Sequence, residues 1–131
     1  MRYSALKIIG VLIITSLFLV GCNDDDPVAP DPDEEVSFSQ HVLPLFQQYG
    51  CTGCHPGNAG LDVRTVDALL QGGVSGPAIE PGNADGSLLI QMISPNPPPG
   101  RPRMPEDGPP FLSESEQETI ARWIDEGAED N

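Results

Sequence analysis

Fifteen prolines and fourteen glycines interrupt this chain of 131 residues and limit how much regular structure it can form. They are concentrated in two stretches, residues 72–86 and 94–110, which we expect to be long loops. The apolar segments around these loops repeat at helical spacing, and none alternates as a strand would. A domain with only a few short helices has a thin hydrophobic core and usually needs an additional stabilising group. The pattern therefore predicts a small all-α domain built around such a group.

Apolar periodicity predicts four short helices in the folded part of the chain. They are expected at residues 37–50, at residues 65–71, from residue 83 or 85 to residue 93, and at residues 113–127. Ser37 and Gln40 have the three-residue spacing of a capping box. The same spacing recurs at Ser113 and Glu116. Pro44 lies inside the first helix and should kink or split it, because proline lacks an amide hydrogen and clashes with the preceding turn.

The first residues have the features of an export signal. Two basic residues precede an apolar run over residues 8–20, which is too short to span a bilayer. Residues 19–22 then resemble the lipobox of bacterial lipoproteins, in which cleavage precedes a cysteine that becomes acylated. We therefore expect a lipoprotein signal peptide at residues 1–21 and lipid attachment at Cys22. An ordinary signal peptide and an uncleaved anchor are the alternatives.

A short acidic segment links the predicted signal to the predicted domain. Residues 22–35 are mostly acidic or proline, so they are expected to stay extended and to act as a tether for a domain at residues 36–131. Loss of the signal would remove two basic side chains and change the net charge from −14 to −16. This charge disfavours nucleic acid and anionic membrane surfaces as partners. It favours a protein partner with a basic docking face, unless the acidity only keeps the protein soluble.

Cys51, Cys54 and His55 form a Cys-x-x-Cys-His sequence directly after the first predicted helix. Residues three apart on a helical turn lie on one side of it, so both sulfurs can reach the two vinyl groups on one edge of a haem. The adjacent imidazole can then bind the iron, which makes this the attachment pattern of one covalent haem c. A redox dithiol would need a βαβ context, and a plain disulfide would leave His55 without a role. A zinc site that also used His41 would need two adjacent ligands directed at one ion.

Residues 36–131 resemble a class I cytochrome c domain, and more closely the planctomycete-type cytochrome c group. The matching segments, in order, are residues 42–46, 51–55, 72–79, 81–83 with 87–89, 104–105 and 123–127. The resemblance implies a small cytochrome c fold of about four short helices and long Gly/Pro-rich loops around one covalent haem. One departure is Glu106, where family members usually have a second proline after the ligand methionine.

Two methionines of the expected mature chain are candidates for the sixth iron ligand. Met92 lies in the third predicted helix at the spacing of its apolar residues, which is typical of a core position. Met104 lies between prolines, and their stiffness lowers the entropic cost of holding a weak sulfur donor against iron. The resemblance places the distal ligand at Met104. His41 is a third candidate, although it is expected to face solvent.

The resemblance also implies supporting roles for two residues. The Pro77 carbonyl would accept a hydrogen bond from the second ring nitrogen of His55, and Ile79 would pack on the haem. From the residues alone, Arg101 or Arg103 could pair with a haem propionate.

The implied function is that of an electron-transfer protein and not of an enzyme. With both axial positions filled, the iron would carry one electron at a time between Fe(III) and Fe(II). A redox protein is the expected partner. The protein would be lipid-anchored outside the cytoplasm, facing the periplasm, with the outer membrane preferred to the inner. If Met104 does not bind the iron, a haem sensor or peroxidase-like enzyme with an open or labile sixth position is the alternative.

Overall fold

Residues 30–131 are described by a computed structural model, and all regular structure in them is helical. The helices are α1 (Leu43–Gln48), α2 (Cys51–Cys54), α3 (Val66–Gln71), α4 (Leu88–Ile93) and α5 (Glu114–Asp125), with a π-helical turn at Phe38–Val42 and a 3-10 turn at Asn58–Gly60. This part of the chain contains no strand, only isolated bridges from Pro56 to Asp62 and from Gly73 to Gly76. The predicted all-α class is confirmed.

The first predicted helix is split, as the position of Pro44 indicates. A π-helical turn at Phe38–Val42 leads into α1, and Pro44 lies in the first turn of α1, where a missing amide hydrogen costs no hydrogen bond. The hydroxyl of Ser37 accepts a hydrogen bond from the Gln40 amide at 3.2 Å. The reciprocal half of the predicted capping box is absent, because the Ser37 amide donates to Nδ1 of His41 at 2.9 Å.

The last helix, α5, begins with a complete capping box. The Ser113 hydroxyl accepts from the Glu116 amide at 3.3 Å, and Oε2 of Glu116 accepts from the Ser113 amide at 2.6 Å. These two bonds satisfy amide groups that have no partner within the helix. Just beyond the helix, Gly127 has a positive φ of 116°, as expected for a residue that ends a helix.

Helix α4 begins later than predicted, at Leu88. Residues 80–87 form turns instead, because local hydrogen bonds compete with the helix there. The Asn83 side chain accepts from the Gly86 amide at 3.1 Å, and the buried Ser87 hydroxyl donates to the Asn83 carbonyl at 2.9 Å. The same hydroxyl accepts from the Glu80 amide at 2.8 Å.

The hydrophobic core lies where α5 packs against the π-helical turn and α4. Trp123 is fully buried and lies 5.3 Å from Phe38, measured between ring centroids. Phe38 in turn makes an edge contact with Phe46 at 6.5 Å. Ile120 and Ile124 of α5 are also fully buried. Phe46 belongs to this core and also contributes to the cavity described below, so the core supports one wall of that cavity.

The start of the predicted domain is joined to the end of the chain. The Val36 amide donates to Oε2 of Glu126 at 2.8 Å, and the Phe38 amide donates to Oδ1 of Asn131 at 2.8 Å. Residues 31–35, the described end of the predicted tether, are exposed. The predicted signal peptide, the lipid attachment at Cys22 and the rest of the tether lie outside the described residues. No helix between residues 30 and 131 is long and apolar enough to cross a bilayer.

Candidate cofactor site

A cavity of about 720 Å³ lies between α1, α2, α4 and the loops around them. Its volume is within the range of small-molecule and cofactor sites. The wall is mostly apolar, and it includes two thiols, one imidazole and two thioethers. The side chains relevant to the chemistry of the site are those of Tyr49, Cys51, Cys54, His55, Met92, Arg101, Met104, Glu106 and Asp107.

Helix α2 brings both cysteines to this cavity. Gly50 has a left-handed conformation, with φ 71°, and so allows the chain to turn from α1 into α2. The helical turn is then closed by bonds from the Cys54 amide to the Gly50 carbonyl at 3.2 Å and from the His55 amide to the Cys51 carbonyl at 2.7 Å. Cys51 and Cys54 both line the cavity, and neither forms a disulfide.

The two thiols differ in their surroundings. Burial raises the pKa of the Cys51 thiol to about 11, and the neighbouring Cys54 adds to this shift. Cys54 itself is exposed. At neutral pH Cys51 is therefore a protonated thiol packed against the core, and Cys54 is the accessible member of the pair.

His55 lies at the end of α2 and also lines the cavity. Its carbonyl accepts from the Val63 amide at 3.1 Å, which fixes the backbone, and Nδ1 of its ring lies 3.3 Å from the carbonyl oxygen of Asn58. The resemblance had implied that the Pro77 carbonyl accepts from the second ring nitrogen. In this arrangement the acceptor is the Asn58 carbonyl instead. The reason is the 3-10 turn after Gly57, which returns the chain towards the imidazole.

Pro77 and Ile79 do not line the cavity. Pro77 is exposed, and Ile79 is 1% exposed within the core. The residue between them, Ala78, lines the cavity and is held at both ends, because its amide donates to Leu69 and its carbonyl accepts from Leu89. These bonds direct Ala78 to the cavity and place its two neighbours elsewhere.

Met104 and Met92 both reach the cavity. The Met104 amide donates to the Met92 carbonyl at 2.8 Å, so the Pro-rich loop is attached to α4 at this point. Met104 also packs against the core. The expectation that Met92 is a core residue is wrong, because it is only half-buried and forms part of the cavity wall.

His41 does not reach the cavity, and the expectation that it faces solvent is wrong. Its side chain is buried, with 7% of the residue exposed, and Nδ1 accepts from the Ser37 amide at 2.9 Å. The imidazole thus satisfies an amide at the start of the first helix. Within residues 30–131 no group of three or more His, Cys, Asp or Glu side chains is arranged to hold a metal ion, so the zinc interpretation has no ligand set there.

The sequence alone did not single out two residues of the site. Asn58 acts through its backbone carbonyl, which leaves no signal in the side-chain pattern. Tyr49 could have been found, because it ends the apolar repeat of the first helix just before Cys51. Taken together, an apolar cavity with two thiols, an imidazole and a thioether on its wall fits a covalently attached haem.

A comparison with known protein families agrees with a haem-binding site. A family described as planctomycete cytochrome C matches residues 51–108, which include most of the cavity wall. No curated protein matches the chain. Among solved structures, the hydrazine synthase of Kuenenia stuttgartiensis is similar over 71% of this chain, with 24% sequence identity and a TM-score of 0.49. The matched part is 16% of the length of the matched chain of that structure.

Proposed function

Because residues 51–108 of this chain match the planctomycete cytochrome C family, we propose that the protein is a monohaem c-type cytochrome that carries single electrons and is not an enzyme. The observation that carries the proposal is the single cavity that Cys51, Cys54, His55 and Met104 share. When bound there, haem supplies one-electron exchange between Fe(III) and Fe(II).

The residues of the chain have separate tasks in this proposal. Cys51 and Cys54 hold the cofactor through two thioether bonds, and the short helix α2 sets the position of both sulfurs. His55 is the proximal ligand. The Asn58 carbonyl would fix the orientation of its ring and raise the basicity of the other ring nitrogen, which would be available to bind iron.

Met104 is the proposed sixth ligand. Its backbone is attached to α4 through the Met92 carbonyl, and Pro105 on its C-terminal side stiffens the loop. The bond to α4 lowers the entropy that the chain would lose when it holds a weak thioether ligand. A filled sixth position favours electron transfer over binding of an external substrate.

The cellular setting of the proposal depends on the sequence. The apolar run at residues 8–20 and Cys22 support export and lipid attachment, with the domain facing the periplasm of a bacterium and with the outer membrane preferred. The net charge supports a redox protein partner with a basic docking face. An electrostatically steered partner would bind more slowly as the salt concentration rises.

The test is a visible spectrum of the full chain, co-expressed with haem c maturation proteins and solubilised in detergent. Haem that resists acid–acetone extraction would support covalent attachment, and a Cys51→Ser, Cys54→Ser double variant should lose it. A sulfur-to-iron absorption band that is lost in Met104→Ala but kept in Met92→Ala would support the His/Met carrier.

Two other results would change the conclusion. Covalent haem without a sulfur-to-iron band, and with rapid binding of external ligands, would favour a sensor or a peroxidase-like enzyme with an open sixth position. The absence of covalent haem from the wild-type chain would contradict the proposal.

A further inference from the structure

Three of the four arginines between residues 30 and 131 are engaged away from the cavity. Arg64 forms an ion pair with Asp62 at 2.6 Å, and Arg122 forms one with Glu126 at 2.7 Å. Arg103 has no acidic partner of this kind but is held by the end of α4 and by an aromatic ring. Its Nε donates to the Ile93 carbonyl at 3.0 Å, and its guanidinium lies 4.2 Å from the centroid of the Phe111 ring.

Arg101 differs from these three because it lines the cavity. Its side chain donates from Nη1 to the hydroxyl of Ser75 at 3.1 Å, and its amide donates to the Pro98 carbonyl at 3.1 Å. Within the described residues it takes part in no ion pair. A guanidinium has five N–H donors, so the contact with one neutral hydroxyl leaves Nε and Nη2 available.

The cavity would be electrostatically unfavourable for an acidic cofactor without this arginine. Glu106 and Asp107 lie on the same wall, and the whole chain has a net charge of −14. Haem carries two carboxylates, and like charges on the same wall disfavour their ionised form unless a nearby positive charge compensates. A planar guanidinium is well suited to bind a carboxylate through two parallel hydrogen bonds.

We infer that Arg101 is the positioning residue that binds a haem carboxylate, with Ser75 holding its guanidinium at the cavity, and that Arg103 instead stabilises the loop. This inference rests on the proposed haem-binding function. It assigns a role to the Ser75 side chain, which comes from the turn at Gly73–Gly76 and is distant in sequence from Arg101. The turn and the Pro-rich loop are thereby joined next to the site.

A positive charge beside the cofactor favours the ferrous state, because reduction adds an electron to the iron. Removal of that charge should shift the equilibrium towards the ferric state. We expect a shift of about tenfold for Arg101→Gln, which is a fall of about 59 mV in a one-electron potential. Arg101→Lys keeps the charge but loses the bidentate geometry, so it should retain most of the potential.

The experiment measures the potential of the haem-loaded full chain by spectroelectrochemistry. Arg64→Gln is the matched control, since it removes the same charge from a residue that does not line the cavity. Arg103→Gln should lower the unfolding midpoint in urea and leave the potential close to that of the wild type. Resonance Raman spectra of the same samples should show a changed carboxylate bending mode in Arg101→Gln alone.

The outcomes separate this inference from the proposed function. An equal fall in potential for Arg101→Gln and Arg64→Gln, with an unchanged carboxylate mode, would overturn the role of Arg101 while leaving the haem protein intact. A larger fall in potential for Arg103→Gln than for Arg101→Gln would show that Arg103 binds the carboxylate, and this result would also overturn the inference. If the wild-type chain binds no covalent haem, both the inference and the proposed function fail.

Discussion

The phenol of Tyr49 donates a hydrogen bond to Oε2 of Glu116 at 2.8 Å. The same oxygen accepts from the amide and the hydroxyl of Ser113, at 2.6 Å and 2.7 Å. Tyr49 lies on the cavity wall just before α2, and Glu116 lies in the first turn of α5. One carboxylate therefore completes the capping of α5 and also holds a side chain of the cavity. We expect the stability of this helix end and the geometry of the cavity to depend on each other.

Tyr49→Phe tests this connection. The substitution removes a hydrogen bond to an ionised acceptor, and such bonds contribute about 1.5–3 kcal/mol. We expect a fall of about 1–2 kcal/mol in the free energy of unfolding, since Glu116 keeps its bonds to Ser113. Urea denaturation of the haem-loaded chain measures this change in the free energy of unfolding. A double-mutant cycle with Glu116→Gln supplies the control, and purely additive effects would show that the two side chains do not interact.

Acid should destabilise the protein in part through Glu126. Burial raises the pKa of this carboxyl, but hydrogen bonds from the Val36 amide and from Arg122 outweigh that effect, and the net pKa is lowered. A carboxyl with a lowered folded-state pKa stabilises the fold above its unfolded pKa of about 4.3, and this contribution is lost as the pH falls through the folded value. In Glu126→Gln the stability should depend less steeply on pH below about 5.

Urea midpoints at a series of pH values measure this effect. Asp62→Asn is a useful comparison, because hydrogen bonds from Arg64 lower the pKa of Asp62 to about 2 at a site far along the chain from Glu126. The contribution of Asp62 to stability should therefore persist to lower pH values than that of Glu126. Identical pH profiles for Glu126→Gln and the wild type would contradict the prediction.

The two thiols should react at different rates in the haem-free chain. Burial raises the pKa of Cys51 to about 11, whereas Cys54 is exposed. Since the thiolate is the reactive form, iodoacetamide at pH 8 should modify Cys54 first, and the rate at Cys51 should rise as the pH approaches 11. Mass spectrometry of peptides after short pulses measures both rates. The difference should disappear in urea, and equal rates in native buffer would show that α2 is not held against the core before haem attachment.

Gly72→Ala should be far more destabilising than Gly100→Ala. Both glycines have a positive φ, 69° and 80°, and Gly72 combines it with a ψ of −157°, so each substitution carries backbone strain of about 1–3 kcal/mol. A Cβ on Gly72 would also collide with the Gly76 carbonyl oxygen, whereas a Cβ on Gly100 would meet nothing within 4 Å. Thermal unfolding of the two variants measures the difference. Similar losses would mean that the turn beside the cavity relaxes easily.

Several features could be predicted from the sequence because they depend on neighbours in the chain. Ser113 and Glu116 form a capping box wherever a helix starts between them, and Pro44 cannot lie in the interior of a regular helix. The spacing of Cys51, Cys54 and His55 likewise requires only one helical turn. The similarity to planctomycete cytochrome c was also recognisable from short segments, and the family match confirms it.

Other features were decided by residues far apart in the chain. The bond between Met104 and Met92, and that between Arg101 and Ser75, join the Pro-rich loop to α4 and to the turn at Gly73–Gly76. Sequence periodicity reports which side of a helix is apolar, but it does not report which partner covers that side. Met92 was therefore assigned to the core although it faces the cavity.

The sequence by itself determined the helical class, the helix starts capped by Ser37 and Ser113, and the attachment motif, because each follows from hydrogen bonds and steric limits within a few residues. Only the tertiary structure decided that His41 is buried, that the Asn58 carbonyl rather than Pro77 faces the His55 ring, and that Arg101 rather than Arg103 lines the cavity. These outcomes depend on how loops close over a shared core. Loop closure is governed by contacts between distant residues and by the entropy of ordering the chain between them.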